Sequence, residues 1–173
     1  MLEIVAKAKY FAIAAHEAVE QRRKYTDEPY WKHPERVATI VEECGSSPEM
    51  IAAAWLHDTV EDTGVTIYTI RELFGQKVAD LVSDLTDVSV PEDGNRAVRK
   101  ELDRHHTAAA HPDSKTVKLA DLIDNTASIM EHDLNFARIY VKEKEALLKV
   151  LTEGDIELYK RATEVLVAAK EKL

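Results

Sequence analysis

The segment Met50-Ile-Ala-Ala-Ala-Trp-Leu56 is apolar on nearly every side, and it runs without a break into His57-Asp58 and Glu61-Asp62 before Thr63-Gly64. A helix with no polar face has nowhere to meet water, so this stretch predicts a buried central helix around which the rest of the chain must pack. Ser46-Ser47-Pro48-Glu49 is a helix-opening signature just ahead of it. Four ionisable side chains at the end of such a helix are costly unless something satisfies them. The feature that fixes the core therefore also marks the candidate site.

The flanking patterns are helical too. Ile4, Ala8, Phe11, Ala12, Ala15 and Val19 recur at three- and four-residue spacing and predict an amphipathic helix ending near Gln21-Arg22-Arg23-Lys24. Pro34 suits the first turn of a second helix with Val37, Ile40, Val41 and Cys44 on one stripe and Gly45 at its C-terminal cap, which puts His33 at a helix start. Further helices are predicted over 66–74, 78–85, 96–110, 114–132, 136–151 and 155–173, with 89–95 as the most loop-like stretch. Five Gly and five Pro in 173 residues leave too few punctuation marks for the tight turns of an all-β chain. There is no internal repeat or linker, so the reading is all-α, a single domain over 1–173.

In one continuous helix His57 would sit below Glu61 and Asp58 below Asp62, because residues four apart share a face. Histidine nitrogen and carboxylate oxygen suit a divalent transition metal, but one helix supplies too few ligands. Asp121, Asn125 and Ser128 recur at four and three beside Val117, Leu119, Leu122 and Ile123, so Asp121 can point inward. His33 is the other contributor. A set of His, His-Asp and Asp leaves coordination positions open for water and substrate oxygens, which is a hydrolytic arrangement.

His33, His57-Asp58 and Asp121, in that order, resemble the signature of the HD phosphohydrolase superfamily. Tyr30-x-x-His33-Pro34-x-x-Val37-Ala38, Leu56-His-Asp-Thr-Val-Glu-Asp-Thr63, Phe74-Gly75 and Val117-Lys-Leu-Ala-Asp121 narrow the match. They resemble the hydrolase domain of RelA/SpoT enzymes and, by length, the small alarmone hydrolases, over roughly residues 5–130 with the C-terminal helices 136–173 beyond. The resemblance implies an HD-type helical bundle with its metal site between central helices, and hydrolysis of the 3′-pyrophosphate of (p)ppGpp. It implies an ion, usually manganese, held by His33, His57, Asp58 and Asp121. Glu61 and Asp62 match the acidic pair that orients and deprotonates the attacking water. Arg23, Lys24 and Asn125 match residues that meet the nucleotide, and Arg96 falls where a phosphate-binding lysine stands. After Asp121 the family continues with Arg or Lys and later another arginine, whereas this chain reads Leu122-Ile-Asp-Asn-Thr-Ala127, which leaves guanine against adenine preference open.

A formal charge of −9 argues against sequence-independent adhesion to DNA, RNA or anionic membrane. The lone Cys44 cannot form an internal disulfide, no apolar run approaches the ~20 residues of a membrane span, and charges interrupt the N-terminal apolar stretch. A cytoplasmic setting is expected, and 173 residues leave no room for a synthetase half. Apolar residues on the final helices serve either the core or a subunit interface, and a self-associating homo-oligomer is the expectation. His16 reads as a helix-face residue whose nearness to the basic segment leaves a pocket role open. Tyr140 and Lys144 share a helical face that closes the pocket or simply packs. Two other readings stand beside the alarmone hydrolase: a generic HD nucleotide phosphatase or phosphodiesterase, and a catalytically silent nucleotide-binding module.

Overall fold

The computed structural model describes residues 2–173, and its secondary structure is helical, with a single isolated bridge, Arg22 to Pro29, among the described residues. The helices gather into two compact units, the first ending at Thr86 and the second starting at Asp87.

In the first unit α3 (Pro48–Leu56) is the central helix, packed against α1 (Leu2–Ala18), α2 (Lys32–Glu43) and α6 (Gln76–Leu85). All seven residues from Met50 to Leu56 are buried, and burying each large apolar side chain contributes about 2 kcal/mol. Ser47 caps α3 by accepting a hydrogen bond from the Met50 amide, with Pro48 in the first turn. On α1 the buried line is Ala8, Ala12 and His16, while Val19 is exposed. The small alanines bring α1 close to the core, and the four-residue step carries His16 inward, so the helix-face expectation for His16 gives way to full burial.

The central helix does not run on as the sequence suggests. It stops at Leu56, His57-Asp58 form a turn, and a short α4 covers Thr59–Asp62. Two side chains take up carbonyls of the last turn: His57 Nδ1 lies 2.7 Å from the Ala54 carbonyl, and Thr59 Oγ1 donates to Leu56 at 2.7 Å. Such local bonds compete with helix propagation. Helix α5 (Ile67–Phe74) follows, and Gly75, at φ 86°, ends it and opens α6 in a backbone conformation that glycine adopts without strain.

In the second unit α8 (Pro112–His132) packs against α9 (Leu134–Leu148) and α10 (Ile156–Glu171), and α7 (Arg96–Ala108) precedes them. The expected loop 89–95 contains a short 3-10 turn, Pro91–Asp93. Side chains cap each start: Asn95 for α7, His111 for α8, Asp133 for α9 and Asp155 for α10. No described helix is long and apolar enough to cross a membrane.

Asp103 on α7 ties the preceding segment down. Its carboxylate accepts from the Val88 amide at 3.1 Å, the Ser89 amide at 2.9 Å, the Ser89 hydroxyl at 3.0 Å and Lys100 at 3.3 Å. Burial alone would raise its pKa, but the Ser89 donors and the Lys100 ammonium outweigh it and hold the carboxyl below the usual range. A depressed carboxylate pKa stabilises the fold above the unfolded value of about 3.9, and that contribution is lost as pH falls through the folded value. Asp103→Ala is therefore expected to cost about 1–2 kcal/mol near neutral pH, where it removes the acceptor of several partly buried donors. The gap to the parent should shrink below about pH 4. Urea midpoints across that range measure this, and a gap independent of pH would refute the assignment.

Candidate active site

The turn after α3 and the first turn of α2 bring three of the expected ligands together. One donor atom each from His33, His57 and Asp58 lies within 4.8 Å of the others. Both histidines are buried and Asp58 is partly open. His57 Nδ1 faces a carbonyl, which can only accept, so Nδ1 carries the proton and the neutral ring presents a lone pair at Nε2. That Nε2 lies 3.0 Å from Asp58 Oδ2, and His33 Nε2 lies 3.6 Å from the same oxygen. An acceptor nitrogen facing a carboxylate oxygen at this range calls for a cation or a proton between them. A separation of 3.0 Å is that of an ordinary hydrogen bond, and equally that of two donors about 2.1 Å from one centre and at right angles. The donor set and its spacing thus fit a divalent transition metal.

Tyr30 supports this group. Its hydroxyl donates to Asp58 Oδ2 at 2.7 Å, and its ring lies 6.0 Å from that of His33 and 4.9 Å from that of His16. The loop between α1 and α2 places it through the Arg22–Pro29 bridge and a bond from the Tyr30 amide to the Gln21 carbonyl at 3.0 Å. Arg23 stands over the Tyr30 ring at 5.8 Å, and Lys24 neighbours Tyr25, with its ammonium 3.4 Å from the hydroxyl.

Glu61 and Asp62 sit on α4 with solvent access. The interrupted helix replaces the two continuous ridges expected for 57–62. Asp62 Oδ2 accepts from Gln21 Nε2 at 2.9 Å, and Gln21 Oε1 is 2.7 Å from His16 Nδ1. Surrounding protein and then the Asp58 carboxylate push the Asp62 pKa up, although part of the side chain faces water, while Gln21, His16 and Tyr30 counter the rise. Burial lowers the His16 pKa, with Gln21, Asp58 and Asp62 opposing. Gln21 and the interaction of Tyr30 with Asp58 escaped the sequence reading. A polar residue five positions after a histidine is the faint signal that was there.

Asp121, Asn125 and Arg96 belong to the second unit. Asp121, on α8, accepts from Asn125 Nδ2 at 2.6 Å and faces Lys118 at 3.9 Å. Arg96 forks Glu143 at 2.7 and 2.8 Å and covers Phe136. It stands on the wall of a cavity of about 500 Å3 with Lys100, Lys118, Lys144, Asp87 and Glu143, room for a small-molecule ligand. Burial lowers the Lys144 pKa, which Asp121 partly offsets. Tyr140 is buried beside Lys144 and meets the Thr126 hydroxyl at 3.4 Å, so it packs in the core of this unit. His105 and His111 are exposed, and His111 caps α8.

The model of the HD domain family matches residues 8–138. A guanosine-3′,5′-bis(diphosphate) 3′-pyrophosphohydrolase of Aquifex aeolicus is 37% identical over 127 residues, 73% of this chain and 18% of that protein. The pyrophosphohydrolase MESH1 of Xenopus tropicalis is 37% identical over 126 residues, 70% of this chain and 67% of that one. The chain spans 18%, 11% and 17% of three longer curated relatives that it matches. A solved structure of "a metazoan ortholog of SpoT" that "hydrolyzes ppGpp and plays a role in starvation responses" superposes with a TM-score of 0.85 at 26% identity. It covers 95% of this chain and 94% of its own.

Proposed function

The chain belongs to the HD domain family, and from that premise we propose that it is a metal-dependent hydrolase that removes the 3′-diphosphate of (p)ppGpp or a related purine alarmone as pyrophosphate. The observation that carries this reading is the triad of His33, His57 and Asp58, with acceptor atoms 3.0 and 3.6 Å apart, set beside the carboxylates of α4. The names of the relatives support the substrate class.

His33, His57 and Asp58 hold the ion in this reading, and the sequence pattern supplies Asp121 as the fourth ligand; manganese is the metal the family resemblance favours. When bound, a divalent cation supplies Lewis acidity, lowering the pKa of water and offsetting charge on phosphoryl oxygens. Tyr30 keeps Asp58 oriented, and the Ala54 carbonyl keeps His57 in the tautomer that can ligate. Glu61 and Asp62 orient water and take its proton as the oxygen attacks the phosphorus attached to O3′. The P–O3′ bond breaks, O3′ regains a proton, and pyrophosphate departs. Arg23, Lys24, Asn125 and Arg96 are the residues that the family resemblance assigns to the nucleotide and its phosphates.

Both units form one hydrolase domain over 1–173 in this proposal, which the family match supports by crossing the boundary at 86. The setting is cytoplasmic, and the net charge of −9 disfavours nucleic acid as a partner. Exposed Leu134, Ile139 and Val167 on α9 and α10 are the apolar positions on which a homo-oligomer would draw.

Anion-exchange analysis of products tests the reaction. Manganese-loaded protein incubated separately with ppGpp, pppGpp and their adenine counterparts is expected to release pyrophosphate, with none after chelation. Orthophosphate instead would move the protein to a generic HD phosphatase, and no turnover to a silent nucleotide binder. The missing arginine after Asp121 makes the adenine arm informative about base choice.

A further inference from the structure

The interior histidine of α1 is not needed to hold the ion in the proposed reaction, yet it is fully buried and tied to the acidic pair. Gln21 Nε2 is the only end of that amide able to donate to the Asp62 carboxylate, so Oε1 must face His16, and His16 Nδ1 must carry the proton. The opposite arrangement would set Oε1 against a carboxylate. His16 Nε2 is then a bare lone pair, and it is buried with no hydrogen-bond partner among the described residues. A buried acceptor without a partner is unfavourable, and structures keep few of them. Gln21 is also clamped through its backbone: its amide donates to the His16 carbonyl at 3.1 Å and its carbonyl accepts from Tyr30 at 3.0 Å. The His16 ring lies 4.9 Å from that of Tyr30, whose hydroxyl bonds Asp58. One buried imidazole therefore backs the group that aims Asp62 and packs beside the group that aims Asp58.

We propose that His16 and Gln21 are positioning residues for Asp62: the imidazole N–H fixes the Gln21 amide, and the amide holds one carboxylate oxygen so that the other is presented to water. This rests on the reading of Asp62 as a base in the reaction proposed above. Neither residue touches substrate. Their contribution is to hold, together with Tyr30, the orientation of a carboxylate at a solvent-facing helix end.

The test has a kinetic arm and a spectroscopic arm. Gln21→Met keeps the length of the side chain and removes both hydrogen bonds. It is expected to lower kcat about 10- to 100-fold, the size of a lost bond to a charged group, with KM within about twofold, since no substrate contact changes. His16→Phe keeps the ring volume and should lower kcat by less. Adding His16→Phe to Gln21→Met should cost nothing further, because His16 acts only through Gln21. Additive effects, or a change in KM with kcat intact, would overturn the proposal. In 15N-histidine spectra of the full-length protein, His16 should be protonated at Nδ1 and lose that signature in Gln21→Met. Protonation at Nε2 in the parent overturns the relay without reference to activity. A parent that hydrolyses no alarmone defeats the functional reading, whereas an active parent matched by an equally active Gln21→Met defeats the relay alone.

Discussion

His57→Ala is expected to abolish manganese-dependent turnover, by at least about a thousandfold, and to remove the thermal stabilisation that the metal gives the parent. His57 presents Nε2 because Nδ1 is committed to the Ala54 carbonyl, and Nε2 faces the same Asp58 oxygen that His33 faces. Removing one of three converging donors leaves too few for tight binding. At a hundred times its dissociation constant a ligand adds about 2.7 kcal/mol to the stability of the folded state. For a chain of this length that raises Tm by about 5–10 °C. The parent should show this rise with Mn2+, and His57→Ala should not. Tyr30→Phe, which removes the hydroxyl that bonds Asp58 and also acts on Asp62, should fall between them, with affinity lowered about 10- to 100-fold. Melting curves with and without Mn2+, together with calorimetric titration, decide the matter. Metal binding unchanged in His57→Ala would end the assignment of this triad as the metal site.

How much of this was legible beforehand depends on the kind of interaction. The burial of α3 could be read directly, since an all-round apolar stretch has only one place to go, and all seven residues are inside. His33, His57 and Asp58 could be grouped because their residue types and order matched a known pattern, and they do converge. The break at Leu56 could not be read from periodicity, because it is made by the His57 and Thr59 side chains bonding carbonyls of the preceding turn. His16 was misjudged for a related reason. Apolar periodicity counted Val19 into the buried stripe, whereas the line Ala8, Ala12 and His16 is the one that packs. Arg96 falls in the sequence where a phosphate-binding lysine stands in the family, yet it forks a carboxylate. Its partner Glu143 is 47 residues away and invisible to any local pattern.

Glu61→Gln with Asp62→Asn separates chemistry from metal binding, and the pair should lose about 10^2- to 10^4-fold in kcat, the range associated with a positioned base. Both residues lie on α4, outside the triad, so the Tm gain with Mn2+ should persist in the double variant. The single variants should differ. Asp62 has the Gln21 bond, which fixes one of its carboxylate oxygens and leaves the other to meet water. Asp62→Asn should therefore account for most of the loss. If the two carboxylates act on one water, the double variant will be little worse than Asp62→Asn alone, because groups that serve one step are not additive. Single-turnover kinetics with ppGpp at saturating Mn2+ reads the chemical step apart from product release. A double variant that keeps full turnover would remove the acidic pair from the mechanism and leave some other group to accept the proton from water.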